Sequence, residues 1–161
     1  FGGVKCYSYL CIVKIEEEIK QAKFSSEYQK AFINILFTSS WLHSENAAYL
    51  KKYDITPEQY NVLRILRGSH PKPLMLADIT GRMIDKASNA TRLVEKLRLK
   101  GLVKRDICEN NRRQVDITIT DKGLKMLGKI DLSEASWTAI LAKLNDKEAK
   151  DLNRILDKLR G

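Results

Sequence analysis

Phe32, Ile35, Leu36, Ser39, Leu42, Asn46, Ala47 and Leu50 recur at intervals of three and four, which predicts one side of a helix about seven turns long that ends near Tyr53. A shorter helical stretch over 15–23 precedes it, and Ser26 with Gln29 fits a capping box that starts the long helix at Glu27. Thr56 followed by Pro57 marks the next start, a threonine cap with proline at the first helical position, and Tyr60, Leu63, Ile65 and Leu66 supply that helix's buried side. Gly68, Ser69, His70, Pro71 and Pro73 break it. Past the break, 74–76 reads as a short strand and 77–83 as a short helix.

A second helix over 86–97 carries its core stripe on Ala90, Leu93, Val94 and Leu97, leaving Ser88, Asn89, Arg92 and Lys96 on the other side. Gly101 closes it. A two-stranded ribbon follows over 102–105 and 115–119, in which Val115, Ile117 and Ile119 alternate with Gln114, Asp116 and Thr118. Its tip, 108–113, is polar and basic. Thr120 and Asp121 then cap a helix bearing Leu124, Leu127 and Ile130, and Asn145 with Glu148 caps a last helix lined by Leu152, Ile155, Leu156 and Leu159. This order predicts a mainly α chain with a small β-wing, a winged helix-turn-helix lobe flanked by long N- and C-terminal helices. The flanking helices are amphipathic with no evident partner in so small a lobe, so they are expected to pair across a dimer; packing on their own chain is the alternative. The expected division is 1–14 as an N-terminal extension, native or non-native, kept out of the fold argument, 15–53 as N-terminal dimerisation helices, 54–123 as the winged lobe and 124–161 as C-terminal dimerisation helices.

Charge sharpens this picture. The 161 residues carry 29 Lys/Arg against 20 Asp/Glu, a formal net charge of +9. Between Arg82 and Arg113 there are ten Lys/Arg against four Asp/Glu, so an excess of +6 coincides with the reading unit. A basic stretch by itself is usually a solvated face; placed on this motif it points to nucleic acid. No Gly-rich phosphate loop, His-Glu-x-x-His or Gly-x-Ser-x-Gly is present and there are only two histidines, so neither catalysis nor a cofactor is expected. The three cysteines, Cys6, Cys11 and Cys108, are too few and too irregular for a disulfide framework or a metal site. With no long apolar run for a membrane span and no cleavable leader pattern, a reducing, cytoplasmic location is expected and membrane association is not.

The segment Thr91-Arg92-Leu93-Val94-Glu95-Lys96-Leu97 with Lys100-Gly101-Leu102-Val103, and the wing pattern from Asn111-Arg112-Arg113 to Ile119-Thr120-Asp121-Lys122-Gly123, resemble the multiple-antibiotic-resistance regulator (MarR) family of bacterial transcription factors. The resemblance covers about 26–160. The family's wing signature, Asp-x-Arg, five residues, then Leu-Thr, is met at Arg113 and Thr120, with Asn111 in place of the aspartate and Ile119 in place of the leucine. It implies a homodimer on a pseudo-palindromic duplex, commonly a repressor, with each recognition helix in a major groove and each wing across the adjacent minor groove. It also implies release by a small lipophilic or phenolic effector, whose binding residues the sequence does not name. Side-chain chemistry makes Asn89 and Arg92 the candidate base readers with Ser88 assisting, since asparagine pairs with adenine and arginine with guanine. Thr91, Lys96 and Arg112 are candidate phosphate contacts, and Arg113 the candidate for the minor groove. The alternative readings are a winged-helix protein-interaction module and an effector-independent DNA-binding protein.

Overall fold

The computed structural model describes residues 13–107, 115–132 and 140–161. By its internal contacts the chain divides into two units, Phe1–Ser44 and Glu45–Gly161. In the first, α1 spans only Ile15–Glu18, shorter than the expected 15–23, because Lys20 turns left-handed at φ 55° and ends the helical path. A salt bridge of 2.6 Å from Lys30 Nζ to Glu16 Oε1 joins α1 to the first turn of α2, Glu27–Leu50. The expected cap of α2 is present in altered form. Ser26 Oγ accepts from Gln29 N at 3.2 Å, but the Gln29 side chain returns to Ser25 N at 2.7 Å, one residue earlier than in the reciprocal box.

The second unit begins with the last turns of α2, extended by a 3-10 turn, Lys51–Tyr53, that Asp54 closes at φ 55°. In α3, Pro57–Ser69, the capping box is complete: Thr56 Oγ1 accepts from Gln59 N at 3.3 Å and Gln59 Oε1 accepts from Thr56 N at 3.1 Å. Then come α4, Leu76–Arg82, and α5, Ala90–Leu99. The wing strands β1, Val103–Ile107, and β2, Val115–Ile119, pair antiparallel from Val103 opposite Ile119 to Ile107 opposite Val115. The chain finishes with α6, Asp121–Asp131, and α7, Asp146–Arg160. The strand expected over 74–76 reduces to Leu74, which exchanges two backbone hydrogen bonds of 3.0 Å with Ile117. Pro73 on one side and the start of α4 on the other leave no room for more.

One core joins the end of α2, helices α3 to α6 and the two wing strands. Leu50, Val62, Leu63, Leu66, Ile79, Val94, Leu97, Leu102, Ile117 and Leu127 are all buried, each side chain contributing about 1.5–3 kcal/mol by removal from water. Two glycines make the packing possible. Gly101, at φ 68°, ends α5 in a Schellman motif, its N–H reaching Arg98 O at 2.9 Å and that of Leu102 reaching Leu97 O at 3.0 Å. Gly123 lets α6 approach so closely that an added Cβ would lie 2.5 Å from Leu102 O and 2.7 Å from Ile119 Cγ1. Between them, Thr120 Oγ1 donates to Gly101 O at 2.8 Å and accepts from Gly123 N at 3.1 Å, so one hydroxyl secures the base of the wing to α6.

Candidate nucleic-acid interface

The recognition helix α5 begins at Ala90, four residues later than the sequence suggests. Local side-chain bonds explain the difference. Asp85 accepts from Ala87 N at 2.9 Å and from Ser88 Oγ at 2.6 Å, and Asn89 Oδ1 accepts from Arg92 N at 3.0 Å as the N-cap. Asp and Asn side chains thus take the backbone donors that a helix over 86–89 would need. Ser88 and Asn89 therefore belong to the turn and the cap, not to a helical face as expected. The Ser88 hydroxyl hydrogen is committed to Asp85, and a two-bond pairing of Asn89 with adenine would require release of its capping oxygen.

Within the helix, Ala90, Val94 and Leu97 are buried and Leu93 half-buried, as the periodicity predicts. Turning by 3.6 residues per turn, the opposite side presents Thr91, Glu95, Leu99, Arg92 and Lys96. Thr91, Arg92 and Lys96, expected to touch DNA, are exposed there. Glu95 was not among the expected site residues, yet it lies near the centre of this face. It forms a bidentate pair with Arg98, with Nε 3.0 Å from Oε2 and Nη2 2.8 Å from Oε1. That guanidinium holds the Glu95 carboxyl below the usual carboxylate range, with a smaller contribution from Arg105.

The basic residues of the reading unit divide into two groups. Arg82 donates to Ser69 Oγ at 2.9 Å, Lys86 caps the last carbonyls of α4 at Thr80 and Gly81, Arg98 pairs with Glu95, and Lys100 pairs with Asp54 at 3.0 Å. Those four brace the protein itself. The side chains of Arg92, Lys96, Lys104 and Arg105 have no hydrogen-bond or ion-pair partner among the described residues, and all four are exposed. Arg105 was missed by the sequence reading. With Val115 and Ile117 of the wing, and with Thr91, Glu95, Met75 and Ala77, it borders a cleft of about 280 Å³ between wing and recognition helix. The strand register carried the signal, since Arg105 lies opposite Ile117 beside α5. Arg112, Arg113, Asn111 and Cys108 lie outside the described residues, as do Cys6 and Cys11.

Among the described residues, no group of three or more His, Cys, Asp or Glu side chains is placed to hold a metal ion. No helix among them is long and apolar enough to cross a membrane.

Comparison with known proteins agrees with this geometry. The model of the MarR family matches residues 55–115, from the residue before Thr56 to the first residue of β2. The HTH-type transcriptional regulator MgrA of Staphylococcus aureus is 31% identical over 110 residues, covering 68% of this chain and 72% of that protein. A MarR transcription factor from Planctomyces limnophilus, solved as a crystal structure, is 30% identical with a TM-score of 0.62, over 86% of this chain and 98% of that one. The S. aureus MepR–DNA complex shares the fold, with a TM-score of 0.70 at 21% identity over 85% of this chain and 97% of that one. The chain belongs to the MarR family, DNA-binding transcription regulators rather than enzymes.

Proposed function

We propose that this regulator acts as a homodimeric repressor on a pseudo-palindromic duplex, each subunit laying α5 in a major groove and its wing across the neighbouring minor groove. The observation that carries the reading is the division of the basic side chains: those that brace the lobe are paired, and those on the outer side of α5 and β1 are left for an anionic partner. Arg92 is assigned to base reading, with Thr91 and Lys96 on phosphates. Ser88 and Asn89 support it by shaping and capping the amino end of α5, where a recognition helix meets base edges. Arg112 and Arg113 are assigned to the phosphate and minor groove beneath the wing tip.

A homodimer is supported by apolar side chains left in solvent by the single chain: Phe32 at 63% exposed and Leu36 at 55% on α2, Ile155 at 54% and Leu159 at 68% on α7. Rows of this kind mark contact surfaces. Accordingly 15–53 and 124–161 are assigned to dimer formation and 54–123 to reading DNA. A small lipophilic or phenolic ligand would release the operator by changing the separation of the two lobes. Selection of bound sequences from random duplex DNA, repeated with a panel of small lipophilic acids, tests the whole reading. It should return two half-sites about one helical turn apart, with affinity falling on the order of 10³ between about 50 and 200 mM salt if six or more phosphates are engaged. A salt-insensitive complex, or a single unrepeated motif, would overturn it.

A further inference from the structure

At the end of α6 three elements meet, α3 through the Asp131 carboxylate and the end of α2 through the neighbouring backbone carbonyls. Asp131, the last residue of α6, accepts from Arg64 Nη1 through Oδ1 at 3.1 Å and from Arg67 Nη1 through Oδ2 at 2.5 Å, both arginines standing three residues apart on α3. Arg64 is itself steadied by Tyr60, whose hydroxyl accepts from Nη1 at 3.2 Å and whose ring lies 5.8 Å from the guanidinium carbon. From the other side, Tyr49 at the end of α2 donates to Ile130 O at 3.2 Å, and Tyr53 in the 3-10 turn donates to Lys129 O at 3.5 Å. The ammonium of Lys52 sits 4.1 Å from the Tyr49 ring centre and 5.1 Å from that of Tyr53, within cation–π range of both rings. The place where α2 joins the lobe, the helix α3 and the place where the chain leaves toward α7 are thus joined within a few side chains.

We infer that Asp131 is a positioning residue for DNA binding: with Arg64 and Arg67 it fixes α3 of the reading lobe on the end of α6, which Tyr49 and Tyr53 tie to the end of α2, and thereby sets the separation of the two lobes. An exposed ion pair adds little to stability, and the Arg64 and Asp131 side chains are 41% and 40% exposed, so holding the fold together is a poor explanation for three converging charges. Direction is a better one. Two guanidiniums on separate oxygens of one carboxylate, with two tyrosines on the adjacent carbonyls, fix the angle of α6 against α3 and the end of α2 rather than merely their proximity. None of these residues lies on the outer side of α5 or on the wing, so the cluster acts on how lobes are spaced and not on what each lobe touches.

The inference rests on the two-half-site reading, and duplexes carrying one half-site or two separate the outcomes. Binding of the full-length protein and of Asp131→Asn is measured on a single half-site and on full sites whose half-sites are moved apart by zero to two base pairs. Asp131→Asn should bind the single half-site within about twofold of the parent, bind the full site about five- to tenfold more weakly, and lose the sharp preference for one spacing. Asp131→Glu should restore much of that preference, and Arg64→Gln with Arg67→Gln, which removes the clamp from its other side, should reproduce the loss even if Asp131→Asn does not fold. Equal weakening on half-site and full site would mean a structural role only and overturns the inference, as does an unchanged spacing preference in the α3 double variant. A parent protein that gains nothing from a second half-site would instead overturn the two-half-site reading itself.

Discussion

The recognition helix α5 and the last helix α7 carry the same kind of apolar stripe and meet opposite fates. On α5, Ala90, Val94 and Leu97 are sealed in the core by α3, α4 and the wing. On α7, Leu152 is 42% exposed and Ile155 and Leu159 more so, and none of its residues is buried. Periodicity states that a helix face needs covering; it does not state by what. In α5 the cover is the same chain. In α7 the proposed cover is a second copy, which turns an amphipathic pattern into an assembly signal.

The contrast can be tested from both ends. Leu152→Asp or Leu156→Asp puts a carboxylate in the stripe of α7 and should give monomers by light scattering, with the lobe still folded by circular dichroism. Affinity for a two-half-site duplex should then fall by about 10²-fold or more, because the second lobe is no longer tethered. A variant that stays dimeric would show that α7 is not the covered face. Gly123→Ala should instead injure the lobe itself. With Leu102 O only 2.5 Å from the added carbon, the backbone must shift, and thermal or urea unfolding should show about 1–3 kcal/mol of lost stability. Unchanged stability would mean that α6 and the base of the wing part easily.

Smaller effects distinguish residues on the outer side of α5. Arg92→Ala should relax preference at one position per half-site by about 1–3 kcal/mol, whereas Lys96→Ala should weaken all duplexes alike and reduce the salt slope by about one. Identical behaviour of the two would remove the division between reading and holding. Glu95→Gln should have the mildest effect, freeing Arg98 to add about one phosphate contact to the salt slope. Arg98 lowers the carboxyl's pKa, so the ion pair is complete above the unfolded value of about 4.3 and is lost only as pH falls through the lowered folded value. Parent and variant should therefore keep a constant affinity ratio between about pH 6 and pH 8, and a ratio that drifts in that range would point to another titrating group.

Much of the fold was legible because its signals are local. Thr56 with Pro57, Thr120, Asn145 with Glu148, and Gly101 each act within four residues of where they stand, and each ends or begins an element as expected. The start of α5 was missed for the same kind of reason. Periodicity extended the helix back through Ser88 and Asn89, while Asp85 and Asn89 offered the backbone a competing set of bonds that a count of apolar spacings does not weigh. Arg105 and Glu95 were overlooked because their importance depends on the wing lying beside α5. The clamp at Asp131 could not have been read at all: its arginines stand 67 and 64 residues earlier, and many other acids in the chain were equally plausible partners.

Helix caps, turn glycines, the alternation of β2 and the accumulation of positive charge around one helix are written in short stretches of residues, because they arise from bonds and sterics between near neighbours. Which cations remain available to a ligand, which acid draws two arginines together, and which glycine must have no side chain are consequences of packing. They depend on distances between segments far apart in the chain, and such distances exist only once hydrophobic burial has brought those segments into contact.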